Sequence, residues 1–439
     1  MLLFDQGNLR VNFNRANYSN LRFSNEDKEI LRDLGKQLAE IASSNRMAEN
    51  TKLWLHHNKL QTTQPVILCD PENGWNEIVT EKEIKCKNSI AQHWECHLRK
   101  QLFSANEIKD NYVVERHFNL SHVYKETQWR VSSNKSTGTA RTTNLNNEAY
   151  HIECILEDYS KIPEITKPKL SIDFETTNKV LEIAHEVFDG ILEVRLNSVW
   201  YWSVGLTDEL VFLRGMENLM FDFIDEPDKV HEVLEILCNG VNEKLDYLEA
   251  NNLFSLNNDS SYVGSGGIGF TDELPSSSFN GKVTTKDMWG LLESQVTVGV
   301  SPAMFEEFIW PYQQKLMNRY GLISYGCCEP MDKRFDIVKS APNLRRVSVS
   351  PWANRSILAE KLGQNYIYSF KPSPSPLALS TLDEDIVRKE LKDALIITKA
   401  NNNIVEIIMK DNHTLGSNPR NLTRWAEIAR EEIESIYNR

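Results

Sequence analysis

Residues 322–349 read LISYGCCEPMDKRFDIVKSAPNLRRVSV. An apolar run at 322–325 predicts a strand, 332–340 a helix and 346–349 a second strand. Working outward, the same alternation continues in both directions. Downstream come a helix at 357–363, a strand at 366–370, a helix at 382–401, a strand at 404–409 and a closing helix at 419–437. Upstream, 302–320 reads as a helix, opened by Ser301 as cap with Pro302 at the first position. The long amphipathic stretch 227–251 places Val230, Val233, Leu234, Leu237, Val241, Leu245 and Leu248 on one face. Before it come one or two short helices at 208–223, a strand at 191–196 and a helix at 176–188; 253–256 is a further strand candidate. Strand and helix alternating at about 25–45 residues imply a parallel sheet. Six to eight such strands fit an eight-fold barrel or an open sheet. No Gly-x-Gly-x-x-Gly joins a strand to a helix with an acid about 20 residues on, which argues against a dinucleotide-binding open sheet. In a barrel the chemistry belongs on the loops after the strand C-termini.

The first third is less regular. Ser24, with Asp27 three residues on, caps a helix carrying Leu31, Leu34, Leu38 and Ile41. Residues 65–69 read as a buried strand ending at a turn, 81–101 as a helix and 112–118 as a half-exposed strand. Residues 132–147 are rich in Ser, Thr, Asn and Gly and read as a loop or hairpin. The start, 1–14, carries early charge and no apolar run of signal-peptide length. No stretch approaches the ~18 apolar residues of a membrane span. The chain has 439 residues, 41 % hydrophobic and 25 % charged, so it is globular rather than disordered. Its net charge of −13 gives no global field for nucleic acid or an anionic membrane. Seven cysteines, mostly scattered, fit a reducing cytoplasm better than a disulfide framework.

The strongest chemical signal lies in Tyr325-Gly326-Cys327-Cys328-Glu329-Pro330, directly after a strand. A thiolate there is a soft ligand suited to zinc; two small buried residues in a turn are the alternative. His413 follows the strand at 404–409 and reads either as a ligand reaching the same axis or as a solvated loop histidine. Glu293 and Gln295 stand among Trp and Leu residues as candidate metal or substrate contacts, or as a polar rim at a strand end; Asp259 is similarly placed. Gly264-Ser265-Gly266-Gly267-Ile268-Gly269 reads as a lid over a barrel mouth or as a backbone-amide nest for an anion, with Gly266 and Gly267 as substrate contacts. Trp200, Trp202 and Trp289 are candidate walls of an apolar pocket or core packing. His93 and His97, at helical i, i+4 spacing around Cys96, read as a polar helix face rather than a metal site.

The block LTDELVFLRGMENLMFDFIDEP at 206–227 resembles the Arg-Gly-x-Glu-x-Leu-x-x-Asp-x-x-x-x-Pro segment of the uroporphyrinogen decarboxylase superfamily. Residues 301–312, ending in Pro311-Tyr312, resemble that superfamily's helix ending in Pro-Tyr, and Asn418-Pro419-Arg420-Asn421-Leu422 its final helix start. The resemblance covers about 150–439, with a weaker echo at 65–68. It implies a TIM (β/α)8 barrel over 151–439, with 1–150 as an N-terminal extension that packs on it and contributes its first strand.

The superfamily contains cofactor-free porphyrinogen decarboxylases and zinc-dependent methyltransferases acting between a corrinoid and a thiol. The decarboxylase Arg-Gln-Ala-Gly-Arg-Tyr segment is missing; Cys69-Asp70-Pro71 stands instead. The methyltransferase His-x-Cys falls on Tyr325-Gly326-Cys327, and the family's second cysteine falls within 410–413, where His413 substitutes. The resemblance therefore implies zinc on Cys327, completed by Cys328, Glu329 or His413. Tyr325, Glu293 and Asp259 are the catalytic candidates; Trp200, Trp202, Trp289, Gln295, Gly266 and Gly267 are the substrate contacts. The implied partners are a small-molecule substrate and a corrinoid protein, with a homodimer as one arrangement. Two alternatives stay open. One is a metal-free carboxy-lyase using Asp70 or Asp259 with Arg195 or Arg214. The other is a barrel that binds a ligand or a corrinoid protein without catalysis.

Overall fold

The computed structural model describes residues 18–61, 64–131 and 154–437. The expectations for 1–14 and 132–147 lie outside those residues. Parallel strands run through the chain as β1 (Val66–Cys69), β2 (His117–Leu120), β3 (Glu193–Leu196), β4 (Trp289–Leu292), β5 (Leu322–Tyr325), β6 (Leu344–Val349), β7 (Ile367–Phe370) and β8 (Ile404–Met409). A six-stranded sheet has the order β1-β8-β7-β6-β5-β4, and β2 pairs with β3 alone. The first third thus supplies β1, which lies beside the last strand with Val66 opposite Glu406 and Cys69 opposite Met409. The expected alternation of strand and helix therefore stands as a mixed α/β fold on a parallel sheet.

β1 and β8 are buried along their whole length. That is why their sequences run as unbroken apolar segments rather than alternating: parallel strands are covered on both faces. The exception within β8 is Glu406, a fully buried carboxylate whose partners are Arg346 at 2.9 Å, His57 at 3.1 Å and the Ser369 hydroxyl. A buried carboxylate needs such partners to offset its lost hydration.

Isolated bonds tie the two edge strands of the sheet to segments that lie before β2 and after β3. The Ile67 amide donates to Asn111 Oδ1 at 2.8 Å, the Cys69 amide to Asp110 Oδ2 at 2.7 Å, and the Asn111 amide to the Ile67 carbonyl. At the other seam the Val204 amide donates to the Leu291 carbonyl at 3.0 Å. The strand expected at 253–256 does not form. There Asn257 does a neighbouring strand's work with its side chain, accepting from the Trp289 amide at 2.9 Å and donating to the Trp289 carbonyl at 3.0 Å.

Two helices differ from the pattern for identifiable reasons, and a third was missed. The helix expected from 81 begins at Ser89, because Asn88 takes the cap and accepts from the Ile90 and Ala91 amides. The helix expected over 302–320 breaks into Pro302–Met304, a π-helical turn Phe305–Ile309 and Trp310–Met317. Pro311 has no N–H to donate and its ring crowds the preceding turn, which a widened turn relieves. The helix Asn45–Asn58, capped by Ser44, was not evident from periodicity. At the N-terminal helix the capping box of Ser24 and Asp27 forms as its spacing predicts.

The segment expected to be a lid is packed as a plug. Residues 263–271 are buried. A Cβ on Gly266 would lie 2.3 Å from Ile408 of β8, and one on Gly264 2.6 Å from Ser324 of β5. Gly267 packs against Arg346 and Glu406. The glycines at 264, 266 and 267 all have positive φ, so they give the backbone both the turn and the close approach that this seat requires.

Candidate functional site

At the C-terminal end of the sheet, the turn after β5 and the first residue after β8 meet. The Cys327 sulfur lies 3.8 Å from Lys410 Nζ and accepts from the Ser265 hydroxyl at 3.1 Å. Its neighbour Cys328 has its sulfur 3.6 Å away and is directed toward Asp411 Oδ2 at 3.8 Å. Lys410 Nζ also meets Asp411 Oδ1 at 2.8 Å and Glu72 Oε1 at 3.5 Å. These groups border a cavity of about 220 Å³ whose other walls are Trp202, Tyr262 and Gln295.

The turn is held rigidly by one carboxylate. Glu329 accepts from the Cys327 amide at 2.8 Å with one oxygen and from the Ser294 amide at 2.7 Å with the other. Gly326, at φ +90°, allows the chain to reverse directly after the strand. The Ser348 hydroxyl donates to the Cys327 carbonyl at 2.7 Å. Few degrees of freedom remain for the thiol.

The electrostatics favour an ionised Cys327. The adjacent Cys328 thiol donating toward its sulfur, with Lys410 and Ser265, outweighs burial and lowers the Cys327 thiol from its ordinary value. The Cys328 thiol is pushed upward by Cys327 itself and by burial. Lys410 is held in its ammonium form well beyond the ordinary range: burial opposes the charge, but Cys327, Glu72 and Asp411 prevail. Deeper in, burial lowers Lys371 to about 8, though Glu406 partly compensates.

Zinc does not fit this arrangement. The acceptors that would surround a cation, Cys327, Asp411 and Glu72, already converge on the Lys410 ammonium. Glu329 is spent on backbone amides, and His413 is exposed and lines neither this cavity nor its neighbours. Among the described residues no three His, Cys, Asp or Glu side chains group so as to hold a metal ion.

The other expected residues divide clearly. Trp202 and Gln295 line the thiol cavity, while Trp200 and Trp289 line an adjoining one. Tyr325 faces away: its hydroxyl donates to Gln313 at 2.6 Å beneath the outer helix. Glu293 borders a separate cavity with Trp202 and Asp208, accepting from the Gln295 amide at 2.9 Å. Burial, with Glu329 and Asp208 nearby, raises its carboxyl well above the usual range. Asp259 sits 3.8 Å from Arg195 and lines none of these cavities. Gly266 and Gly267 are sealed inside the plug rather than offered to a ligand. Of the lyase alternative only Asp259 and Arg195 come together, and that pair lines none of these cavities. Arg214 is engaged by Asp222 at 2.6 Å, Arg195 by Glu193, and Asp70 accepts from the Trp75 indole at 3.1 Å. Lys410, Ser265 and Tyr262 were missed. Lys410 had a signal, standing directly after a strand at the position where the resemblance expects a ligand.

No protein-family model and no curated protein sequence matches the chain. Among solved structures, the chain is similar to a methyltransferase from Methanosarcina mazei at 11 % identity and a TM-score of 0.44. The similarity covers 88 % of this chain and 99 % of that one. No helix of the described residues is long and apolar enough to cross a membrane.

Proposed function

We propose that this chain is a methyltransferase-like enzyme in which the Cys327 thiolate, held by Lys410, is the attacking sulfur. The observation that carries the reading is the 3.8 Å approach of Lys410 Nζ to Cys327 Sγ inside a walled cavity. A thiolate is the reactive form of cysteine, and a neighbouring cation stabilises it. Zinc does this in the relatives that the sequence resembles; here an ammonium takes its place, and no step passes through a metal. The eight parallel strands, six in one sheet and two in a separate pair, support reading the architecture as a (β/α)8 barrel whose C-terminal mouth is this cavity.

The sequence resemblance supplies the donor class, a methyl group on a corrinoid carried by a separate protein. A corrinoid offers that methyl as an electrophile. A cavity of about 220 Å³ admits the methyl and not the macrocycle, so the donor would be presented at the rim. On this side, Ser265 and Lys410 fix the sulfur lone pair that would form the new S–C bond as the donor's Co–C bond breaks and its electron pair stays on the cobalt of the departing corrinoid. Trp202 and Tyr262 restrict water around it. The test is incubation with methylcobalamin under chelator, followed by peptide mass analysis. Methylation of Cys327 in the wild type, and its loss in Lys410→Met, is expected. Methyl transfer that persists in Cys327→Ser, or that needs added zinc, overturns the reading.

A further inference from the structure

Neighbouring residues on an extended chain send their side chains to opposite sides. Cys327 and Cys328 do not. Gly326, at φ +90°, bends the chain directly after β5, and the two sulfurs come together at 3.6 Å. The Glu329 carboxylate on the Cys327 amide and the Ser348 hydroxyl on its carbonyl hold that bend in place. Both cysteines border the cavity of about 220 Å³, and Cys328 is partly exposed. A small solute in the cavity therefore meets two thiols already placed side by side.

The two sulfurs are chemically unequal. Ionisation is favoured at Cys327, by Cys328, Lys410 and Ser265. Burial pushes the thiols of Cys69, Cys86, Cys96 and Cys238 upward, so these stay protonated. An accessible thiolate is the form that a peroxide oxidises, and a second thiol beside it captures the product as a disulfide. Cys328 is held protonated chiefly by Cys327, with burial next. The negative charge behind that hold disappears once the Cys327 sulfur is a neutral sulfenic acid.

We propose that Cys327 and Cys328 form a site of reversible oxidation by a hydroperoxide, with Cys327 as the sulfur oxidised first and Cys328 as the resolving thiol. In the first step the Cys327 thiolate attacks the peroxide. An S–O bond forms, the O–O bond breaks, and the leaving oxygen takes a proton from water. In the second step the Cys328 sulfur attacks the Cys327 sulfenic acid. The S–S bond forms, the S–O bond breaks, and the Cys328 proton leaves with the hydroxyl as water. The two sulfurs together lose two electrons, and the peroxide gains them.

Adjacent Cα atoms stand about 3.8 Å apart across a trans peptide. Ordinary disulfides span roughly 4.4–6.8 Å, so a bridge between neighbours is strained and opens readily to a dithiol. That suits a reversible closure rather than a structural bridge. The proposal rests on Cys327 being the reactive sulfur of the site. A closed pair has no thiolate to take a methyl group, so oxidation turns the proposed transfer off and a dithiol turns it on again.

The test treats the reduced full chain with equimolar hydrogen peroxide under chelator, then with iodoacetamide, and maps the peptides by mass. The peptide carrying both cysteines is expected to lose two hydrogen atoms and take up no label, and dithiothreitol should restore both thiols. Cys328→Ser should instead leave a Cys327 sulfenic acid that dimedone traps. Excess peroxide should carry it on to sulfinic acid at least ten-fold faster than in the wild type. Equal rates of irreversible oxidation in the two proteins, or a bridge from Cys327 to any other cysteine, overturn the proposal. Oxidised wild type should accept no methyl group from methylcobalamin until dithiothreitol is added. If the pair closes and reopens while reduced Cys327 accepts no methyl group, the oxidation site stands and the methyltransferase reading falls. A Cys327 that is methylated in a protein whose pair never closes overturns the oxidation site and leaves that reading intact.

Discussion

Lys410 Nζ stands 3.8 Å from Cys327 Sγ, although the two residues are 83 positions apart in the chain. The pair joins the end of β8 to the turn after β5. It gives the site a cation beside a thiol that Cys328 and Ser265 also help to ionise. Lys410→Met is therefore expected to slow alkylation of Cys327 by iodoacetamide at neutral pH by about ten-fold, since one pKa unit corresponds to ~1.4 kcal/mol. The midpoint of the alkylation–pH profile should move upward. Lys410→Arg should keep most of the reactivity. Peptide mass mapping separates Cys327 from Cys328, whose raised thiol should label slowly in every variant. An unchanged profile in Lys410→Met would sink the ion pair.

Removing metal should change nothing at this site. Protein grown with added zinc and then dialysed is expected to hold well under one zinc per chain. Chelator should leave the Cys327 alkylation rate as it was. Stoichiometric zinc that disappears in Cys327→Ala is the contrary result, read by metal analysis.

Glu406 gives a pH prediction. Burial alone would raise its carboxyl, but Arg346, His57 and Lys371 outweigh burial and hold it at about 2. A carboxyl lowered on folding contributes stability that is complete above its unfolded value of about 4.3. That contribution is lost as the pH falls from there through about 2. Glu406→Gln should therefore be clearly less stable than the wild type at pH 6, and the gap should narrow steadily between pH 5 and pH 2. Chemical denaturation at a series of pH values checks it; a constant gap is the wrong outcome.

The glycine plug can be tested against an internal control. Gly266 and Gly281 have similar backbone angles, φ +105° and +95°, but a Cβ at 281 meets nothing within 4 Å. Gly281→Ala should cost only the backbone strain, of order 1–3 kcal/mol. Gly266→Ala adds the collision with Ile408, a further ~1–3 kcal/mol of overpacking. The difference in thermal midpoint between the two variants reads the packing directly. Equal midpoints would mean that the segment is seated less tightly than the structure shows.

Asn257 stands in for a missing strand. Asn257→Ala removes both of its bonds to the Trp289 backbone, and a cost of about 2–4 kcal/mol is expected from two backbone groups left unpaired. Amide exchange should rise first at Trp289. Asn257→Asp should recover the acceptor half only.

The parallel α/β architecture was legible because its signals are local. β5 and β8 match the apolar runs at 322–325 and 404–409 residue for residue. Ser24, Ser301 and Asp27 cap as their spacing requires, since a cap depends on residues three positions away. Cys327 was legible too, as a thiol directly after a strand.

What only the tertiary structure decided was which groups face one another. A glutamate two residues after a cysteine reads as a possible ligand; in the fold Glu329 turns back to hold the Cys327 amide. The run 264–269 reads as a lid, yet its glycines let it pack into the core against Ile408 of β8. Lys410 stands where the resemblance expects a metal ligand, and only the fold shows it meeting Cys327 as a cation instead. Periodicity records whether a residue is buried, because burial repeats with the local helix or strand. Charge pairing depends on the closure of distant strands, and that geometry exists only once the chain has folded.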